Sequence, residues 1–260
     1  MTLFSDVINL ADNPINDASF RNECKLHLDQ DGALVLDKFI FPNAIDSIKN
    51  DGIHNQHLAY YTSNTHNIYL SPSDPNFSNT HPRNRLITSS KGCITTDQIP
   101  KESVLHILYS SPVFKEFLCA ILGEQELYEY ADPLSGVTLH YASEGQELGW
   151  HFDNSSFAIT LLVEKPVSGG VFEYVKDVRN ADAGEMNYQD SADILDGKVN
   201  PSTLRMEPGA LVLFRGKNSM HRVTPTQGDI TRMLAVLAYN TKPDVSLSES
   251  ARLTFFGRLN

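Results

Sequence analysis

"GWHFDNSSFAITLL", residues 149–162, holds the pattern on which the fold turns. In an extended chain its first half places His151 and Asp153 on one side and Trp150 and Phe152 on the other. Its second half is a short apolar run of strand length. Similar runs surround it: "GVTLHYAS", "GGVFEYVKDV", "LRMEPGALVLFRG", "MHRVTPTQG" and "RMLAVLAYNT", each punctuated by Gly, Pro or Asn. Strands of this number and length predict a mainly β protein with flanking helices, either a β-sandwich or a jelly roll, the latter being the cupin-like double-stranded β-helix.

Upstream the pattern changes. "ASFRNECKLHLDQDG" reads as a helix with a glycine stop, "ALVLDKFIF" contains a short strand, and "PNAIDSIKN" begins a helix at proline. Residues 55–90, rich in Asn, Ser, Thr, His and Pro, predict a long ordered loop suited to a lid. "KESVLHILYSSPVFKEFLCAILG" predicts two short helices divided at Ser111–Pro112. One domain is expected over residues 1–260. Residues 1–129 form a helical and loop part, 130–243 the jelly roll with an irregular insertion at 177–203, and 244–260 a C-terminal extension.

A chain of 260 residues with 41% hydrophobic residues can fill a sizeable core. Its net charge of −11 disfavours nucleic acid and anionic membranes as partners, and no basic patch offsets it. Cys24, Cys93 and Cys119 lack metal or disulfide spacing and fit a reducing compartment. With neither a signal-like leader nor a long apolar run, the expected location is the cytoplasm.

His151 and Asp153 gain meaning from His221, 221 − 153 = 68 residues on, at the start of another strand. Two imidazoles and one carboxylate on adjacent jelly-roll strands make a facial triad suited to Fe(II), with open positions for cosubstrate and O2. Zinc is the alternative metal. In "HRVTPTQGDITR" a hairpin turning at "PTQGD" would set Arg232 beside Val223, about 7 Å along the strand from His221. An arginine there suits the distal carboxylate of 2-oxoglutarate, which its two parallel N–H groups would hold.

Through "HFD" at 151–153, "HRVTP" at 221–225 and Arg232, 232 − 221 = 11 residues after the second histidine, the chain resembles the Fe(II)/2-oxoglutarate-dependent oxygenases. The resemblance covers residues 130–243. "GWHFDNSSFAITLL", "GGVFEYV", "PGALVLFRG" and "SESARLTFFGR" further resemble the branch of free-amino-acid hydroxylases and halogenases. Halogenases of this superfamily carry a small residue where the acidic ligand stands, so the resemblance with Asp153 present implies hydroxylation, or another iron-driven oxidation, over halogenation. The resemblance implies Fe(II), 2-oxoglutarate and O2 as cofactor and cosubstrates, with succinate and CO2 as coproducts.

Around the triad, Tyr141 and Thr160 are candidates for the cosubstrate and His140 for the substrate. Strand parity lets only one of His140 and Tyr141 point into the barrel. Arg83 and Arg85, in the polar loop, are candidates for a substrate carboxylate, and Asn154 for its far end. The expected substrate is a small zwitterionic or carboxylate-bearing molecule. The competing reading is a non-redox metal-binding cupin or ligand sensor.

Overall fold

The computed structural model describes residues 3–260. Helix α1 (Ala18–Asp31) starts where the Asp17 side chain accepts from the Phe20 N–H, and stops at Gly32, whose φ of 72° suits a residue without a Cβ. After β1 (Ala33–Leu36), helix α2 (Pro42–Asn55) opens with proline in its first turn. Helices α3 (Val104–Tyr109) and α4 (Pro112–Leu122) are divided by Ser111, which caps α4 by accepting from Phe114. Helices α5 (Tyr188–Leu195) and α6 (Glu249–Phe256) lie further along the chain. No helix among the described residues is long and apolar enough to cross a membrane.

The remaining strands of the main sheet are β2 (Tyr60–His66), β3 (Ile87–Ile94), β4 (Val137–Ala142), β5 (Leu148–His151), β6 (Ala158–Glu164), β7 (Phe172–Val175), β8 (Ser202–Leu204), β9 (Leu211–Phe214), β10 (Met220–Val223) and β11 (Arg232–Leu237). They form one antiparallel sheet in the order β1-β9-β6-β11-β4-β3-β5-β10-β7-β8, with β2 alongside β3. Strand β3 joins the two halves of the roll: its end pairs with β4 through Gly92–Ile94, and its start meets β5 at Ser89.

Parity separates the two faces. Leu139 and Tyr141 of β4, Leu161 of β6, Leu211 and Leu213 of β9 and Ala235 of β11 are buried in the main core with residues of α1 to α4. Thr138, His140, Thr160, Leu234 and Phe214 lie on the opposite face, toward the barrel interior. Beneath the other half, Trp150, Phe152 and Met220 form a satellite cluster with Ile194 of α5. Trp150 thus faces away from His151, as parity requires.

Two sequence expectations need correction. Residues 55–90 are not one long loop, because β2 lies within them and β3 begins there. β2 is a largely exposed edge strand, so no apolar alternation marks it. The insertion at 177–203 is also more regular than expected, since it contains α5 and the start of β8.

Candidate metal centre

His151 ends β5 and stands directly opposite His221 on β10, the adjacent antiparallel strand. Strand pairing thus brings together two residues distant in sequence. Their ring centroids are 4.1 Å apart. His151 Nδ1 lies 2.8 Å from the Gly149 carbonyl, and His221 Nδ1 lies 3.1 Å from the Ser219 carbonyl. Only N–H groups can donate to those carbonyls, so both Nε2 atoms keep their lone pairs for a metal.

Asp153 lies just beyond β5, where its backbone N–H donates to Gly216 O at 3.0 Å. Its Oδ1 is 3.6 Å from His151 Nε2 and 3.5 Å from His221 Nε2. These separations are long for hydrogen bonds and suit atoms converging on one cation. One ligand atom from each of the three residues fits within 4.8 Å of the others. Asp153 Oδ2 is buried without a hydrogen-bond partner, a vacancy in bonding that a metal ligand fills. Burial raises the Asp153 carboxyl, but His221 and His151 outweigh it and hold the group below the ordinary range. Burial and then the neighbouring His221 lower His151, which favours the neutral ligand form.

The surroundings hold this arrangement. Phe172 stacks on His221 at 5.5 Å and Phe214 meets it edge-on at 4.8 Å, shielding the ring from water. Gly149 donates its N–H to Ser89 Oγ at 2.9 Å, and Ser89 Oγ lies 2.6 Å from His66 Nε2. The peptide that orients His151 is therefore itself anchored to β2 and β3. A Cβ at Gly216 would come within 1.8 Å of Asp153 Oδ2, so the carboxylate occupies space that only glycine leaves. Arg179 donates to Lys217 O and Asp153 O, and its guanidinium carbon lies 4.2 Å from the Phe152 ring centroid.

Arg232 is 7% exposed, and among the described residues no carboxylate lies within ion-pairing distance of it. Desolvation lowers its pKa to about 10. A buried guanidinium with no internal counter-charge needs an anionic ligand. Its position differs from the expected hairpin. Arg232 pairs with Ala142 of β4, not with Val223, because the chain crosses from one half of the roll to the other between β10 and β11. Thr226 and Gln227 pair with Gly169 and Ser168 on that crossing.

The other candidates divide. Thr160 faces the interior on β6. Tyr141 does not: it is fully buried on the helix side and donates to Gly52 O at 2.8 Å, so its candidacy for the cosubstrate is withdrawn. His140 points inward, yet both ring nitrogens are engaged, Nδ1 with Lys91 Nζ at 3.2 Å and Nε2 with Thr138 Oγ1 at 3.2 Å. Arg85 is tied to Asp196 at 2.7 Å and to the Leu195 carbonyl of α5. Arg83 donates to Pro72 O at 2.9 Å, and Asn154 is exposed. The arginines thus brace the loop against itself and α5. Lys91, Arg179, Gly216 and His66 went unnoticed in the sequence. For Lys91 the signal is its parity with Cys93, which counts only once residues 91–94, beyond the expected loop, are known to be strand.

The chain is similar to an oxidoreductase of the 2OG-Fe(II) oxygenase family from Burkholderia pseudomallei, with 12% identity over 87% of this chain and 93% of that one and a TM-score of 0.53. It is also similar to SnoK, a non-heme α-ketoglutarate-dependent carbocyclase of nogalamycin biosynthesis, with 11% identity over 89% and 90% of the two chains and a TM-score of 0.58. The epimerase SnoN, in complex with Fe3+, α-ketoglutarate and nogalamycin RO, matches with 10% identity over 86% of this chain and 84% of that one, at a TM-score of 0.57. No curated protein matches the sequence significantly. The fold is the one these solved Fe(II)/2-oxoglutarate-dependent oxygenases share, and here it carries a His-Asp-His site. The chain belongs to the Halogenase D family, whose model matches residues 21–254.

Proposed function

We propose that this chain hydroxylates an unactivated C–H bond of a small molecule, a free amino acid or a close derivative, using Fe(II), 2-oxoglutarate and O2. The observation that carries the reading is Asp153: its carboxylate stands between two metal-ready imidazoles with one oxygen unpartnered. In a family named for halogenation, a carboxylate at that position takes up the coordination site a halide needs, which favours oxygen insertion.

Bound iron supplies the oxidation, in which one oxygen atom of O2 enters the substrate and the other enters succinate as 2-oxoglutarate loses CO2. The protein's part is binding and positioning. His151, Asp153 and His221 would hold the metal. Arg232 would hold the distal carboxylate of 2-oxoglutarate, supplying the counter-charge each lacks alone. Phe172 and Phe214 exclude water from the His221 side.

The test is product analysis. Protein with Fe(II), 2-oxoglutarate, O2 and chloride is incubated with a panel of free amino acids, and products are read by mass spectrometry. A gain of one oxygen, matched by succinate, is the expected outcome. A chlorinated product in place of the hydroxylated one would overturn the assignment. Metal binding without 2-oxoglutarate binding would favour the non-redox cupin, whose case rests on the fact that the same three ligands also suit zinc.

A further inference from the structure

Lys91 lies on β3, where Cys93 pairs with His140 and Gly92 with Tyr141, so the same register sets Lys91 across from Ala142 of β4. On its other edge, Ala142 pairs with Arg232 of β11. Ala142 shares the inward face of β4 with His140 by parity, and residues directly opposite in antiparallel strands point the same way. Lys91 and Arg232 therefore enter the interior from either side of Ala142. Neighbouring strands lie about 4.8 Å apart, so the two backbones are about 10 Å from each other. Both side chains are long enough to meet above the small Ala142 methyl.

His140 stands between the two cations. Its Nδ1 lies 3.2 Å from Lys91 Nζ, and its Nε2 lies 3.2 Å from Thr138 Oγ1. An ammonium can only donate, so Nδ1 accepts and Nε2–H donates onward to Thr138, which aims the lysine head and leaves N–H groups of Lys91 to spare. Burial, then Lys91 and Arg232, hold His140 well below the ordinary histidine value, so the ring is in the neutral form this hydrogen bond requires. Among the described residues no carboxylate lies within ion-pairing distance of either cation. Burial works against both charges, and one anion seated between them would offset that cost for the pair.

We infer that Lys91 is a second arm of the cosubstrate site, gripping the distal carboxylate of 2-oxoglutarate from the β3 side while Arg232 grips it from the β11 side. The inference rests on the oxygenase reading above and deepens it. The two grips differ in kind: Arg232 offers a planar fork that can take both oxygens, and Lys91 a point charge that reaches one of them. The consequence is selection among 2-oxo acids. A chain that ends in a carboxylate satisfies both cations, and an uncharged tail leaves both buried without a partner.

The test is binding, read without turnover. Anaerobic Fe(II)-loaded protein is titrated calorimetrically with 2-oxoglutarate and with 2-oxopentanoate, which keeps the 2-oxo acid and carries a methyl group where the distal carboxylate stands. Lys91→Met should weaken 2-oxoglutarate by about tenfold to a hundredfold and leave 2-oxopentanoate within about twofold of the wild type. Lys91→Arg, which keeps the charge, should recover part of the loss. Fe(II) affinity equal to that of the wild type marks each variant as folded with its metal site intact. Wild-type affinity for 2-oxoglutarate in Lys91→Met would overturn the inference and leave the oxygenase reading standing. So would an equal loss for the two acids, which would put Lys91 at the metal end or in a purely structural role. Wild-type protein that binds iron and no 2-oxoglutarate would overturn the oxygenase reading and this inference with it.

Discussion

Replacing Asp153 with glycine removes the one charged protein ligand while leaving both imidazoles oriented by Gly149 and Ser219. The expected result of Asp153→Gly is loss of hydroxylation, followed as oxygenated product; an unchanged yield would take Asp153 out of the ligand set. In the proposed reading Arg232 would hold the other end of the cosubstrate. Arg232→Ala should weaken 2-oxoglutarate binding by about tenfold to a hundredfold, the cost of losing a buried charge-assisted pair, and calorimetric titration of the metal-loaded protein measures it. These residues were legible in sequence because their spacing carries their chemistry: alternation placed His151 beside Asp153 on one face, and a second histidine on a strand completed the set. The contact of Lys91 with His140 was not, since it joins β3 to β4 and exists only in the folded chain.

Among the elements, the turn between β9 and β10 does more than connect strands. Its Gly216 accepts from the Asp153 backbone and leaves room for the carboxylate. A methyl group placed 1.8 Å from Asp153 Oδ2 must displace it. Gly216→Ala is therefore expected to keep the fold, with a circular dichroism spectrum like the wild type, while lowering metal affinity by about tenfold or more. Wild-type metal affinity in a folded variant would show that the carboxylate can move without loss. The jelly-roll strands themselves could be read from the sequence, since β4, β6, β9 and β11 are short, mostly apolar runs bounded by turn residues, with one face buried against the helices. Strand β2 escaped because "YYTSNTH" is exposed along most of its length and owes its conformation to pairing with β3. The neighbour of Arg232 escaped for a topological reason: a jelly-roll crossover and a hairpin look alike over so short a stretch, and only the sheet order separates them.

For the whole molecule, the interior's polar charge couples the site to stability. Burial lowers both His140 and His151; Lys91 and Arg232 lower His140 further, and His221 acts on His151. Below the ordinary histidine value of about 6.5, the unfolded chain takes up protons that the native chain refuses. Stability of the metal-free protein should therefore rise with pH up to about 6.5 and then level off with respect to these groups. Urea midpoints taken at about pH 8 and about pH 5.5 check the sign, and an equal or higher midpoint at the lower pH would contradict it. In the proposed reading the same polar interior would serve binding: one half of the roll carries His151 and His221 and the other carries Arg232, with β3 joining the two.

The central claim is that this jelly roll oxidises a small molecule at the expense of 2-oxoglutarate held by Arg232. It is tested most directly by O2-dependent succinate formation, with Fe(II)-loaded wild type and Arg232→Ala compared across the amino-acid panel. The account predicts succinate that one amino acid or derivative stimulates, formed in step with its hydroxylated product and lost in the variant. Absence of succinate from wild-type protein that binds iron, across the whole panel, or succinate formed equally by the variant, would contradict it.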